Sequence, residues 1–70
     1  MSSWDVIDRN KVEAAIYRYI MGRNAERNRQ IVHDKMVSGL TFEKIAERHD
    51  MSVSQIKRIV YKFEYIYRHL

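Results

Sequence analysis

The chain contains no proline, and glycine interrupts its 70 residues only at Gly22 and Gly39. Proline ends helices and glycine supplies the left-handed backbone of tight turns, so punctuation this sparse predicts helices joined by short connections. Apolar residues recur at helical spacing in four segments. Val12, Ala15, Ile16, Tyr19 and Ile20 form the first stripe, with Gly22 as its stop. Its start is open: Asp8 or Asn10 can cap it, or else Ser2 or Ser3, which would draw Trp4, Val6 and Ile7 into the helix. The second segment follows Asn24 as cap, sets Ile31, Val32 and Met36 on one stripe and closes at Gly39.

Thr41 caps the third predicted helix, with Glu43 near its positive end and Phe42, Ile45, Ala46 and His49 facing inward. The fourth opens with a capping box, Ser52-x-x-Gln55, in which hydroxyl and amide satisfy each other's orphan backbone N–H groups. Its stripe runs Ile56, Ile59/Val60, Phe63, Ile66/Tyr67 and Leu70. Tyr61, Phe63, Tyr65 and Tyr67 also alternate as in a strand. A lone strand would have no partner, so the helix is preferred. The expected fold class is all-α, a small bundle of four helices.

Residues 39–60 further match a helix-turn-helix, which presents its second helix to the major groove of DNA. A small residue is needed where the helices cross, and Ala46 supplies it. The turn needs an unusual backbone angle; Asp50 stands where glycine is usual, and aspartate enters the left-handed region at modest cost. Met51, Ile56 and Ile59 then seat the second helix on the first.

Size and charge narrow the partners. A chain of 70 residues is expected to be one domain. A domain this small buries only about 60% of its unfolded surface. Cysteine is absent, which excludes disulfides and thiolate metal sites and is compatible with a reducing cytoplasm, where the chain is expected to reside. No apolar run reaches the ~20 residues of a membrane span, and no signal-peptide pattern stands at the start. The formal net charge is +4, and +3 of it falls in residues 51–70, where Lys57, Arg58, Lys62 and Arg68 face Glu64 alone. A basic face on the helix that would enter the groove is the electrostatic footprint of a polyanion binder.

From Asn24 to Leu70 the chain resembles the fourth region of bacterial housekeeping-type sigma factors and the small phage or prophage transcriptional regulators that share that domain. The resemblance rests on Arg29-Gln-Ile31, Gly39-Leu-Thr41, Glu43-Lys-Ile-Ala-Glu47, Ser52 and Ile56-Lys-Arg-Ile59. It implies that the helix after Ser52 lies in the major groove and that the domain also touches RNA polymerase. On this reading residues 1–23 form an N-terminal supporting helix, and residues 24–70 the sigma region 4-like part, of a single helix-turn-helix domain. Val53 and Ser54 stand where promoter-reading sigma factors usually carry an arginine and an acidic residue. A standard promoter element is therefore not the expected target, nor is a chain of this length expected to be a complete sigma factor.

Roles follow from that docking. Val53, Ser54, Lys57 and Arg58 occupy the first two turns of the reading helix. Lys57 and Arg58 can donate to guanine, Ser54 can serve any base, and Val53 can meet a thymine methyl. Lys44, Tyr61 and Lys62, with the backbone N–H groups of Thr41 and Phe42, are the expected phosphate contacts. No catalytic set can be assembled, so an enzyme is not expected. His33, His49 and His69 lack the spacing and company of metal ligands, and no metal or cofactor is expected. The expected partners are double-stranded DNA, RNA polymerase and a second copy docked through the tyrosine-rich C-terminal helix. Tyr61, Tyr65 and Tyr67 either pack around the rim or form such a partner surface. The competing function is a module that grips RNA polymerase or a sigma-like factor. A membrane-active bundle is disfavoured, because the helices carry acids among their bases and no strong Lys/Arg face opposes an apolar one.

Overall fold

A computed structural model describes residues 8–70; Ser2, Ser3, Trp4, Val6 and Ile7 lie outside them, so an earlier start to the first helix does not enter the description. The chain forms α1 (Arg9–Tyr19), α2 (Ala25–Met36), α3 (Phe42–His49) and α4 (Val53–Arg68), with no strand among the described residues. The alternation of aromatics in residues 61–67 is therefore helical. Asp8 caps α1, its carboxylate accepting from the N–H groups of Asn10 at 2.8 Å and Lys11 at 3.4 Å. Thr41 caps α3 through Oγ, and the capping box at Ser52 and Gln55 is closed.

Two terminators differ from expectation. α1 ends at Tyr19 with Ile20 extended, so Gly22 (φ +102°) serves the connection to α2 rather than the helix end itself. Asn24 makes no side-chain cap: its φ of −105° and ψ of 25° lie outside the extended backbone that aims a capping side chain at the next turn. The N–H of Ala25 bonds Gly22 C=O instead. The end of α2 does use glycine. Gly39 is left-handed (φ +72°), and the Leu40 N–H donates back to Asp34 C=O at 3.0 Å. Asp50 does the same for α3, at φ 54°, ψ 49°, with Met51 N–H returning to Ala46 C=O.

The described residues measure 30 × 29 × 17 Å, thin enough for every helix to keep a solvent face. α2 and α4 form the central pair. α1 lies against one side of it and α3 against the other, with only marginal contact between α1 and α3. The core divides accordingly. Val12, Ala15, Ile16, Val32 and Phe63 bury together under α1; Ile31, Ile45, Ala46, Ile56 and Val60 bury together under α3. Ile59 packs against both clusters. Leu70, the last residue of the expected α4 stripe, is 64% exposed, because the bundle ends before it and α4 stops at Arg68. Tyr19 is also on the rim, at 39% exposure, and Ile66 is only half-buried.

Polar links brace both sides. Arg29 of α2 lays its guanidinium over the Tyr17 ring at 5.3 Å and donates to the Tyr17 carbonyl at 3.2 Å, tying α2 to α1. Asp34 of α2 is the buried charged side chain among the described residues. Its carboxylate accepts from Gln30 Nε2 at 2.9 Å and lies 3.0 Å from His49 Nε2 and 3.5 Å from Arg48 Nη1. The C-terminal end of α3 is thus anchored to α2 immediately before the Asp50 turn.

Candidate nucleic-acid interface

The burial of Ile56, Val60 and Phe63 turns one face of α4 inward and leaves Ser54, Lys57, Arg58, Tyr61, Lys62 and Tyr65 exposed. Its first turn is held by reciprocal bonds. Ser52 Oγ accepts from the Gln55 N–H at 3.2 Å, while Gln55 Oε1 accepts from the Ser52 N–H at 3.0 Å and from Ser52 Oγ–H at 3.1 Å. Beneath it Ala46 is buried in one cluster with Ile45, Ile56 and Val60, between α3 and α4.

The outer face of α4 has two flanks. Arg58 and Lys62 line a groove of about 250 Å³ beside Tyr19, Ile20 and Met21 at the end of α1. Lys57 and Tyr61 lie on the other flank, toward the start of α3. The Lys57 ammonium is 5.6 Å from the Phe42 ring centroid, and Tyr61 meets that ring edge-on at 5.8 Å and 77°. Successive helix positions differ by about 100°, which is why Lys57 and Arg58 point to different neighbours. Among the described residues, the side chains of Lys44, Lys57, Arg58 and Lys62 enter no ion pair or hydrogen bond. Arg68, by contrast, is paired with Glu64 at 2.6 Å.

The remaining expected residues are distributed less evenly. Val53 is half-buried and packs against the cluster beneath α3, so only part of it faces outward. Lys44 is exposed on the outer face of α3, separate from the Phe42 group. The backbone N–H groups of Thr41 and Phe42, at the start of α3, donate no hydrogen bond among the described residues, while Thr41 Oγ accepts from the Lys44 N–H at 3.1 Å and the half-buried Phe42 ring carries the contacts of Lys57 and Tyr61. Tyr61 and Tyr65 are 52% and 66% exposed, whereas Tyr67 tucks against Phe63 at 6.0 Å.

Lys35 was not foreseen in this region. It comes from the last turn of α2, with its ammonium 4.4 Å from the Phe42 centroid. Nothing in its local pattern marks it; only the turn at Gly39 returns the chain so that residue 42 lies beside residue 35. Among the described residues no helix is long and apolar enough to cross a membrane. The chain matches no protein-family model, no curated protein and no solved structure.

Proposed function

We propose that the chain is a sequence-specific duplex-DNA-binding domain of a small bacterial or phage transcriptional regulator, with α4 entering the major groove. One observation carries this reading. Asp50 takes a left-handed turn between two helices that pack at Ala46, and the second of them is rigidly capped and cationic on its free side. Ser54 and Arg58 stand on that side within the first two turns, the part of a reading helix that reaches base edges. Lys62 and Tyr61, one turn further on, are suited to phosphates, as is Lys44 on α3. A single such domain makes few contacts, so a second copy or RNA polymerase supplies the remaining affinity. The reading also places the chain in the cytoplasm.

The test is binding to duplex DNA across a salt series. Log Kd is expected to rise linearly with log salt, with a slope set by several displaced counterions. Flat or absent binding at low salt overturns the proposal. Arg58→Ala is expected to relax base preference, whereas Lys62→Ala weakens all sequences alike. A second reading, a module that grips RNA polymerase or a sigma-like factor, is favoured by the exposure of Tyr61 and Tyr65. It wins if Tyr61→Ala and Tyr65→Ala abolish activity while Lys57→Ala with Arg58→Ala leaves it intact.

A further inference from the structure

The Phe42 ring gathers two cations from two different helices. Lys35 Nζ lies 4.4 Å from its centroid and Lys57 Nζ 5.6 Å, while Tyr61 closes its edge at 5.8 Å. The two ammonium groups are therefore no further apart than those two distances together allow. Among the described residues neither is paired with a carboxylate. Each cation is favoured by the negative face of the shared ring, and an anion that both reach is held by both charges.

The donors fit an anion with several oxygens. An ammonium carries three N–H bonds. Lys35 spends one on the Leu40 carbonyl at 3.3 Å, which also fixes its direction, and Lys57 spends none within the described residues. Both lysines lie on the α3 flank of α4, away from Arg58 and Lys62. If α4 enters the groove as proposed above, cations drawn sideways onto Phe42 stand off its centre line, on the side a groove wall would face.

From this geometry we infer that Lys35 and Lys57, gathered by Phe42, form a clamp for a backbone phosphodiester of the bound duplex. Lys57 then positions the protein and does not read a base, and Lys35 joins the interface. This rests on the duplex-DNA reading above and refines it: direct reading falls to Ser54 and Arg58.

The experiment uses the full chain, a duplex selected by the wild type from a random library, and a scrambled duplex of equal length. Lys35→Gln and Lys57→Gln are each expected to weaken both duplexes by the same factor. Each should also lower the slope of log Kd against log salt by about one, and the selected motif should not change. Lys35→Arg restores the slope, and circular dichroism confirms that every variant is folded. A changed motif for Lys57→Gln makes Lys57 a base reader and overturns the clamp. Unchanged affinity and slope for Lys35→Gln overturn it as well. In both cases the wild type still binds DNA, so the clamp fails alone; a wild type that binds no duplex at low salt removes both readings.

Discussion

Asp34 shows how a single residue can govern the presentation of a distant surface. Taking a carboxylate out of water is costly, and the cost is tolerable only when donors surround it. Here Gln30 comes from the same helix, and His49 and Arg48 come from the end of α3. Arg48 is half-exposed at 3.5 Å and contributes little, so the firm bonds are those of Gln30 and His49. Asp34→Ala leaves these donors without an acceptor and is expected to destabilise by about 1–3 kcal/mol. The measurement is the urea midpoint at constant m-value. Against a total of roughly 5–15 kcal/mol for native domains, a loss of that size is a large fraction of the stability of a small one. A shift of under about 0.5 kcal/mol would show that the carboxylate is replaceable and that α3 is held by its apolar face alone. The sequence offered no hint of this residue. An aspartate within a helical stripe reads as a solvent position, and only tertiary packing turns it inward.

At the scale of elements, the legible features were those with local physics. The Thr41 cap, the Ser52–Gln55 box and the left-handed Asp50 each involve residues within a few positions of one another, and all are present. Asn24 stands at the N-cap position of α2 as expected, but makes no side-chain bond there, because its backbone conformation is set by the α1–α2 connection, which residue type does not encode. Leu70 failed because periodicity says which face is apolar and not where the bundle ends. Ser52→Ala is accordingly expected to cost about 1 kcal/mol, whereas Asn24→Ala, which removes no side-chain bond, should cost under half of that. Thermal melts of the two variants compare them directly. Equal losses would mean that the cap geometry at Ser52 contributes nothing beyond propensity. The candidate interface was legible to a similar depth. The outward positions Ser54, Lys57, Arg58 and Lys62 follow from the α4 period, but the contact of Lys35 with Phe42 depends on how the Gly39 turn folds back.

For the molecule as a whole, the division of the core decides whether the helix-turn-helix part can stand alone. α3 and half of α4 bury Ile31, Ile45, Ala46, Ile56 and Val60, yet the other half of α4 depends on α1 through Phe63, and α2 depends on it through Val32. Removing residues 1–23 deletes Val12, Ala15 and Ile16 from that cluster and exposes Val32 and Phe63 to water. Each Val, Ile or Phe returned to solvent forfeits about 1.5–3 kcal/mol, so the four large side chains together approach the whole stability of a domain this small. The Arg29–Tyr17 link is lost at the same time. Residues 24–70 by themselves are therefore expected to lack a cooperative thermal transition and to bind no duplex. The milder Ile16→Ala, at a cost of about 2–5 kcal/mol, should lower the midpoint of the full chain while leaving its DNA preference unchanged once folded. A fragment of residues 24–70 that melts cooperatively would make α1 an accessory to the fold. Because α1 also forms one wall of the groove beside Arg58 and Lys62, such a fragment would show separately whether that wall matters to the ligand. Loss of binding by a folded fragment would place α1 in the interface, and retained binding would confine its role to support.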